Sequence, residues 1–173
     1  MIDISKLSPR QLFELHSWIE DELREQKIIR TANKPTGDLA EYLFRTAFDW
    51  EPASNSQAHY DAKGKTDGLL YQIKGRRITR FNSSRQLSAI RDLEGAQHFN
   101  VLAGVLFNED YSVKRAALIP HAVLLNLVKK RSHISFQEHT NSHVFLLVDE
   151  LWNEKWKAEG VRNVTTQLKS VWH

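Results

Sequence analysis

The chain has 173 residues, 41% apolar and 26% charged, with a net charge of +3 and no cysteine. That is the composition of one soluble globular domain with a continuous core, and it excludes disulfides, thiolate metal sites and a cysteine nucleophile, so any metal must be held by oxygen or nitrogen. No apolar leader with a cleavage site opens the sequence, and no stretch approaches the ~20 apolar residues that span a bilayer, so a cytoplasmic protein with no membrane partner is expected.

In chain order, Ser8 as N-cap, Pro9 at the first helical position and Gln11 completing a capping box predict a helix over about 9–26. Leu12, Leu15, Ile19 and Leu23 recur on one side of it, which predicts one packed face and one solvated face. A second helix is expected to start between Thr36 and Asp38 and to run through Leu39, Ala40, Leu43 and Ala47 toward Phe48, with Glu41 in its second turn. Residues 51–57 hold Pro, Ser and Asn and read as a loop. Residues 59–63 and 69–74 then read as two short strands joined at Thr66, Asp67 and Gly68, an antiparallel hairpin, because Asp and Gly tolerate the positive φ of such a turn.

Leu87, Ile90, Arg91 and Leu93 suggest a third helix over 84–94, and the apolar run 99–107 suits a central strand. After a turn at Asn108, Glu109 and Asp110, a strand over 113–119 is stopped by Pro120, and a helix follows over 122–130. A hairpin of 134–138 with 144–148 and a helical tail carrying Trp152, Trp156 and Trp172, interrupted at Gly160, complete the reading.

The overall charge is only mildly positive, but Lys63, Lys65, Lys74, Arg76, Arg77, Arg80 and Arg85 crowd into one region, opposed by Asp61 and Asp67. A local positive surface suited to a polyanion is expected there. The histidines show no HxH or HExxH spacing, which speaks against zinc at His133, His139 and His143, and Gly75 and Gly104 are isolated, so no glycine-rich phosphate loop is present. The tryptophans read as core and interface aromatics more readily than as base-stacking platforms.

One constellation carries chemistry. Gln72 and Lys74 are two apart in a strand and so emerge on one face, Asp61 lies on the strand paired with it, and Glu41 arrives from the preceding helix. Taken singly, each is as readily a solvated polar residue. Together they bring two carboxylates, an amide oxygen and an ammonium group to one place, a hard-oxygen site suited to Mg²⁺ or Mn²⁺.

The order and spacing of Glu41 in GDLAEYLFRTAF, Asp61 in HYDAKG, and Gln72, Ile73 and Lys74 in LLYQIKGRR resemble the PD-(D/E)xK nuclease superfamily. Tyr60 stands where that pattern has Pro, and Gln72 stands at its acidic position, making this a QxK variant. The resemblance implies a single α/β domain over 1–173 with a restriction-endonuclease-like αβββαβ core at about 36–120, built on a mixed central sheet flanked by helices, with added N-terminal helix (about 9–26) and C-terminal hairpin and helices (about 133–173). It further implies a metal-dependent endonuclease hydrolysing DNA phosphodiester bonds, plausibly of bacterial restriction or defence type. Asp61, Gln72, the Ile73 carbonyl and Glu41 would hold the metal, Lys74 would orient the attacking water, and Arg76, Arg77, Arg80 and Arg85 would contact DNA phosphates. Double-stranded DNA is the expected partner, and a homodimer would place one site on each strand. The competing reading keeps the fold and the basic surface but makes the chain a catalytically weak or inactive DNA-binding or assembly module.

Overall fold

The computed structural model describes residues 3–31, 35–54, 60–91, 93, 98–130, 143–144, 157 and 159–172. It holds a six-stranded mixed sheet between two packed layers, an α/β arrangement. The strands are β1 (Trp50–Pro52), β2 (Ala62–Gly64), β3 (Leu70–Arg77), β4 (Ile90–Arg91), β5 (Val101–Phe107), β6 (Val113–Pro120), β7 (His143–Val144) and β8 (Arg162–Asn163). The helices are α1 (Pro9–Glu25), α2 (Pro35–Phe48), α3 (His121–Lys130) and α4 (Thr165–Ser170), preceded by a 3-10 turn at Ile4–Lys6. In space the large sheet runs β1, β2, β3, β5, β6, β8, while β4 and β7 make a separate ribbon. Among the described residues only β3 and β5 pair in parallel, and the other neighbours are antiparallel.

Alternation along β3 sets the two faces. Tyr71 and Ile73 pack with Leu39, Ala40, Leu43 and Phe44 of α2 and with Leu168 of α4. Leu70 and Ile78 lie with the opposite core, where Leu87, Ile90, Leu93, Val123 and Leu124 cover Leu102 and Leu106 of β5. β5 is apolar on both faces, as the central strand of a covered sheet must be.

The β2–β3 hairpin forms as its turn residues predict. Gly68 takes φ +67°, Asp67 Oδ1 accepts from the Leu69 amide, and Asp67 Oδ2 accepts from the Tyr71 hydroxyl. That carboxylate and burial together push the Tyr71 phenol up from its ordinary value. Where a loop was expected over 51–57, residues 50–52 instead pair with β2. Trp50 explains it, because its indole stacks on Tyr71 at 3.6 Å and on Phe44 and Phe48 beyond, which draws the chain onto the sheet edge. Pro52 is tolerated there because an edge strand has no need of every amide.

Two further expectations fail. The helix over 84–94 is absent from its described part: residues 84–89 are irregular and Ile90–Arg91 is a strand paired with β7. Asn82 Oδ1 accepts from the Ser84 amide and Ser84 Oγ from the Gln86 amide, so side chains capture the N–H groups a first helical turn would direct elsewhere. Leu87, Ile90 and Leu93 are nonetheless buried on the sheet, the task the helix was expected to perform.

The second failure concerns α1. Its capping box is complete, with Ser8 and Gln11 bonded reciprocally, and Arg10–Glu14 and Glu20–Arg24 pairs brace its surface. Yet none of its residues is buried, and Phe13, Trp18 and Ile19 are 79%, 67% and 51% exposed. The chain docks onto the core only after the helix, through Ile28 and the buried Ile29.

The expected hairpin of 134–138 with 144–148 lies outside the described residues except for Val144, which pairs with Ile90; Trp152 and Trp156 also lie outside them. Trp172 follows α4, and its Nε1 donates to the Tyr111 carbonyl at 3.1 Å. Among the described residues no helix is long and apolar enough to cross a membrane.

Candidate active site

The site begins with the way α2 is anchored. Asp38, in its first turn and only 6% exposed, accepts from the Arg30 and Thr31 amides at 2.8 and 2.7 Å and from the Thr31 hydroxyl at 3.0 Å. This ties the incoming loop to the helix end whose dipole favours an anion. Glu41 follows one turn later, and Arg30 Nη2 donates to Glu41 Oε2 at 2.5 Å. The other side of α2 lies close to β3 because Gly75 has no side chain: a Cβ there would meet the Ala40 Cβ and the Thr36 carbonyl oxygen, each at 2.9 Å.

Asp61 occupies the place where β2 begins to pair. The ladder to β3 runs through Ala62↔Tyr71 and goes no further along β3, so the next outward-facing amide of β3, that of Ile73, has no backbone partner from β2. Asp61 Oδ2 takes that bond at 2.6 Å, and the same oxygen accepts from Gln72 Nε2 at 2.5 Å. Since the N–H and C=O of one strand residue point to the same side, the Ile73 carbonyl faces the same edge. Lys74, two residues after Gln72, lends Asp61 an attractive positive field, as does Arg30.

Glu41, Asp61, Gln72 and Lys74 are thus coupled, from a helix, a strand end and one strand face. Burial pushes the Asp61 carboxyl up, opposed by the Ile73 amide and the Lys74 charge. Glu41 is also pushed up, first by burial and then by the negative charge of Asp61, with Arg30 opposing. A buried carboxyl beside one raised by burial and by its neighbour's negative charge marks a place where added positive charge is welcome. Asp61 and Glu41 carboxylates, the Ile73 carbonyl and, after rotation of its amide, Gln72 Oε1 make an all-oxygen donor set that fits a hard dication. Among the described residues no group of three or more His, Asp or Glu side chains gathers, so neutral oxygens must complete any such shell.

The predicted phosphate-binding arginines are held by partners of their own. Arg77 is five residues beyond Gln72, about 17 Å along a strand. It donates to the Glu109 carbonyl at 2.8 and 2.5 Å and lies over the Tyr111 ring at 4.1 Å. Arg76 shares the face of Gln72 and Lys74 and donates to the Ser84 carbonyl and to Asn82 Oδ1, holding the turn that follows β3. Arg80 pairs with Glu109 at 3.3 Å, and Arg85 also has partners.

Sequence reasoning missed Arg30, which pairs with Glu41 and also acts on Asp61, and Arg45, one turn after Glu41 on α2. The signal was present as a second run of cations, Arg24, Lys27, Arg30 and Lys34, overshadowed by the denser run that follows residue 63.

No family model matches the chain, and no curated protein matches it.

Proposed function

We propose that the chain is a metal-dependent nuclease of the PD-(D/E)xK type acting on double-stranded DNA, with Glu41, Asp61, Gln72 and Lys74 as its active site. The observation that carries this reading is their convergence around Asp61 at the edge where β2 stops pairing with β3. The order of elements supports it. Helix α2, the antiparallel meander of β1, β2 and β3, a crossover, and β5 parallel to β3 follow the αβββαβ succession, with the crossover helix replaced by the irregular segment after β3. Plausible settings are restriction or defence.

Asp61, Glu41, Gln72 Oε1 and the Ile73 carbonyl would hold Mg²⁺ or Mn²⁺. When bound, the dication supplies a water of lowered pKa and offsets charge on the phosphate. Lys74, whose ammonium has no hydrogen-bond partner among the described residues, orients that water and stabilises charge developing on the phosphate oxygens. Arg76, Arg77, Arg80 and Arg85 then serve flanking phosphates to the extent that they leave their internal partners. A two-fold pair of chains would present one site to each strand.

A second reading also has an observation behind it. Gln72 Nε2 already satisfies Asp61, and Arg30 already satisfies Glu41, so the carboxylates are paired within the chain. On that reading the protein is a catalytically weak or inactive DNA-binding or assembly module. A plasmid-cleavage assay with Mg²⁺ and Mn²⁺ separates the two. The nuclease reading expects cleavage that falls at least about a hundredfold in Asp61→Asn and in Lys74→Ala, both still folded. Folded wild-type protein that binds duplex yet leaves it intact with either metal would establish the second.

A further inference from the structure

Beside the candidate active site, on the far side of Arg30, lies a cavity of about 500 Å³ lined by Arg24, Lys27, Ile29, Arg30, Arg45 and Pro52. Four of its six lining residues are cations and none is an anion, an arrangement that costs electrostatic free energy unless a counter-charge enters. They come from separate places in the chain: the last turn of α1, the loop between α1 and α2, and the last turn of α2.

The pairing of these cations is uneven. Arg24 is matched by Glu20 and Asp21 of its own helix, and Arg30 by Glu41. Lys27 has no hydrogen bond or ion pair from its side chain among the described residues. Arg45 Nε is buried and has no hydrogen-bond partner, although a buried guanidinium donor left unsatisfied is costly. Burial and the neighbouring charge of Arg30 both make the Arg45 guanidinium less able to hold its proton than usual, against an opposing attraction from Glu41. Lys27 also sits just past the α1 C-cap at φ 59°, the left-handed position at which glycine is the easy choice. A lysine kept there places an ammonium at the mouth of the cavity.

We propose that this cavity is a phosphate-binding pocket that takes a phosphate group of the nucleic-acid strand held at the candidate active site. Its placement beside a scissile bond rests on the nuclease reading; its preference for a phosphate rests on the pocket alone. Lys27 and Arg45 Nε, without hydrogen-bond partners among the described residues, suit a phosphate group, whose tetrahedral oxygens offer acceptors enough for both and for a share of Arg30. A carboxylate offers only a planar pair of oxygens, a poorer match for donors converging from several directions. The phosphate has two sources in a DNA duplex, a strand terminus or an internal diester.

The test measures binding without metal, so that it does not depend on cleavage. Inorganic phosphate is titrated calorimetrically into wild type, Lys27→Gln and Arg45→Gln, and duplexes with phosphorylated or hydroxyl 5′ ends are titrated in EDTA by fluorescence anisotropy. Phosphate affinity is expected to fall about tenfold in each variant, with duplex affinity following. Lys27 is exposed, so Lys27→Gln folds even where Arg45→Gln does not. A preference for the phosphorylated end that vanishes in Lys27→Gln places a terminus in the pocket, whereas equal loss on both duplexes places an internal phosphate there. Unchanged phosphate and duplex affinity in folded Lys27→Gln overturns the proposal. Phosphate and duplex binding that depend on Lys27, in a protein that never cleaves, would leave the pocket standing and remove the nuclease.

Discussion

Helices α1 and α2 are alike in length and in amphipathic pattern, and they have opposite fates. α1 has a complete capping box and several ion pairs and buries none of its residues. α2 inserts Leu39, Ala40, Leu43 and Phe44 between the sheet and α4 and carries Glu41 to the site. The contrast teaches that helix formation and helix burial are separate properties. Local hydrogen bonds fix the first, whereas the second needs a complementary surface, which for α2 is the strip of β3 opened by Gly75.

The largest effect expected to sharpen this comparison comes from truncating one leucine on each helix. Leu43→Ala opens a void in the core and is expected to cost about 2–5 kcal/mol, while Leu12→Ala, at an exposed position, stays within about 0.5 kcal/mol. Chemical denaturation of both variants checks it. A cost of 2 kcal/mol or more at Leu12 would mean that α1 has a packing partner after all.

Next in size is Gly75→Ala. The added methyl meets Ala40 and the Thr36 carbonyl, so α2 must move away from β3 at a cost of about 1–3 kcal/mol, and Glu41 moves with it. Both melting temperature and Mn²⁺ affinity are expected to fall. A variant as stable as wild type would show that the contact between α2 and β3 is loose, which would erase the distinction drawn between the two helices.

Gln72→Glu acts on the site alone. It places a carboxylate where Nε2 now donates to Asp61, so the metal-free protein should melt lower. Affinity for Mg²⁺ or Mn²⁺ should rise about tenfold, on the order of 1 to 2 kcal/mol. Unchanged affinity by calorimetry would remove Gln72 from the metal shell and favour the non-catalytic reading.

The smallest effect is one of pH. The fold raises the Glu41 carboxyl through burial first and the Asp61 charge second. A carboxyl raised in the folded state favours the fold in its protonated form, so its contribution is full at low pH and is lost as pH rises through the folded value. Ionised Glu41 therefore works against stability at neutral pH, and Glu41→Gln should melt above wild type at pH 7, the gap closing as the pH drops toward about 4. Melting curves across that range decide it, and a gap that is absent at pH 7 would show that Arg30 outweighs burial.

What the sequence made legible follows from the range over which each interaction acts. The α1 cap, the Asp67 and Gly68 turn, and the alternation that sets Tyr71 and Ile73 against Gln72 and Lys74 all depend on neighbours a few residues apart. The meeting of Asp61 with Gln72 was readable because hairpin pairing converts a separation in sequence into a fixed register. Arg30 was legible only as one of a run of cations; its pairing with Glu41 was not, because a loop cation meeting a helix carboxylate has no periodicity to betray it. Residues 84–94 misled for another reason. Spacing of three between Leu87, Ile90 and Leu93 suits a helix, but it also suits an irregular chain crossing a sheet and dropping a side chain into the core at intervals, and only the side-chain bonds of Asn82 and Ser84 distinguish them.

The bond from the Ile73 amide to Asp61 has a further use. Most strand amides are protected from solvent exchange by a backbone carbonyl, which neither titrates nor binds cations strongly, but this one is held by a carboxylate at 2.6 Å. Its hydrogen-exchange rate and its nitrogen and proton resonances are therefore coupled to whatever Asp61 is doing, whether taking up a proton or giving an oxygen to another partner. Ile73 is in effect a spectroscopic reporter built into the backbone, readable without altering a single side chain of the site.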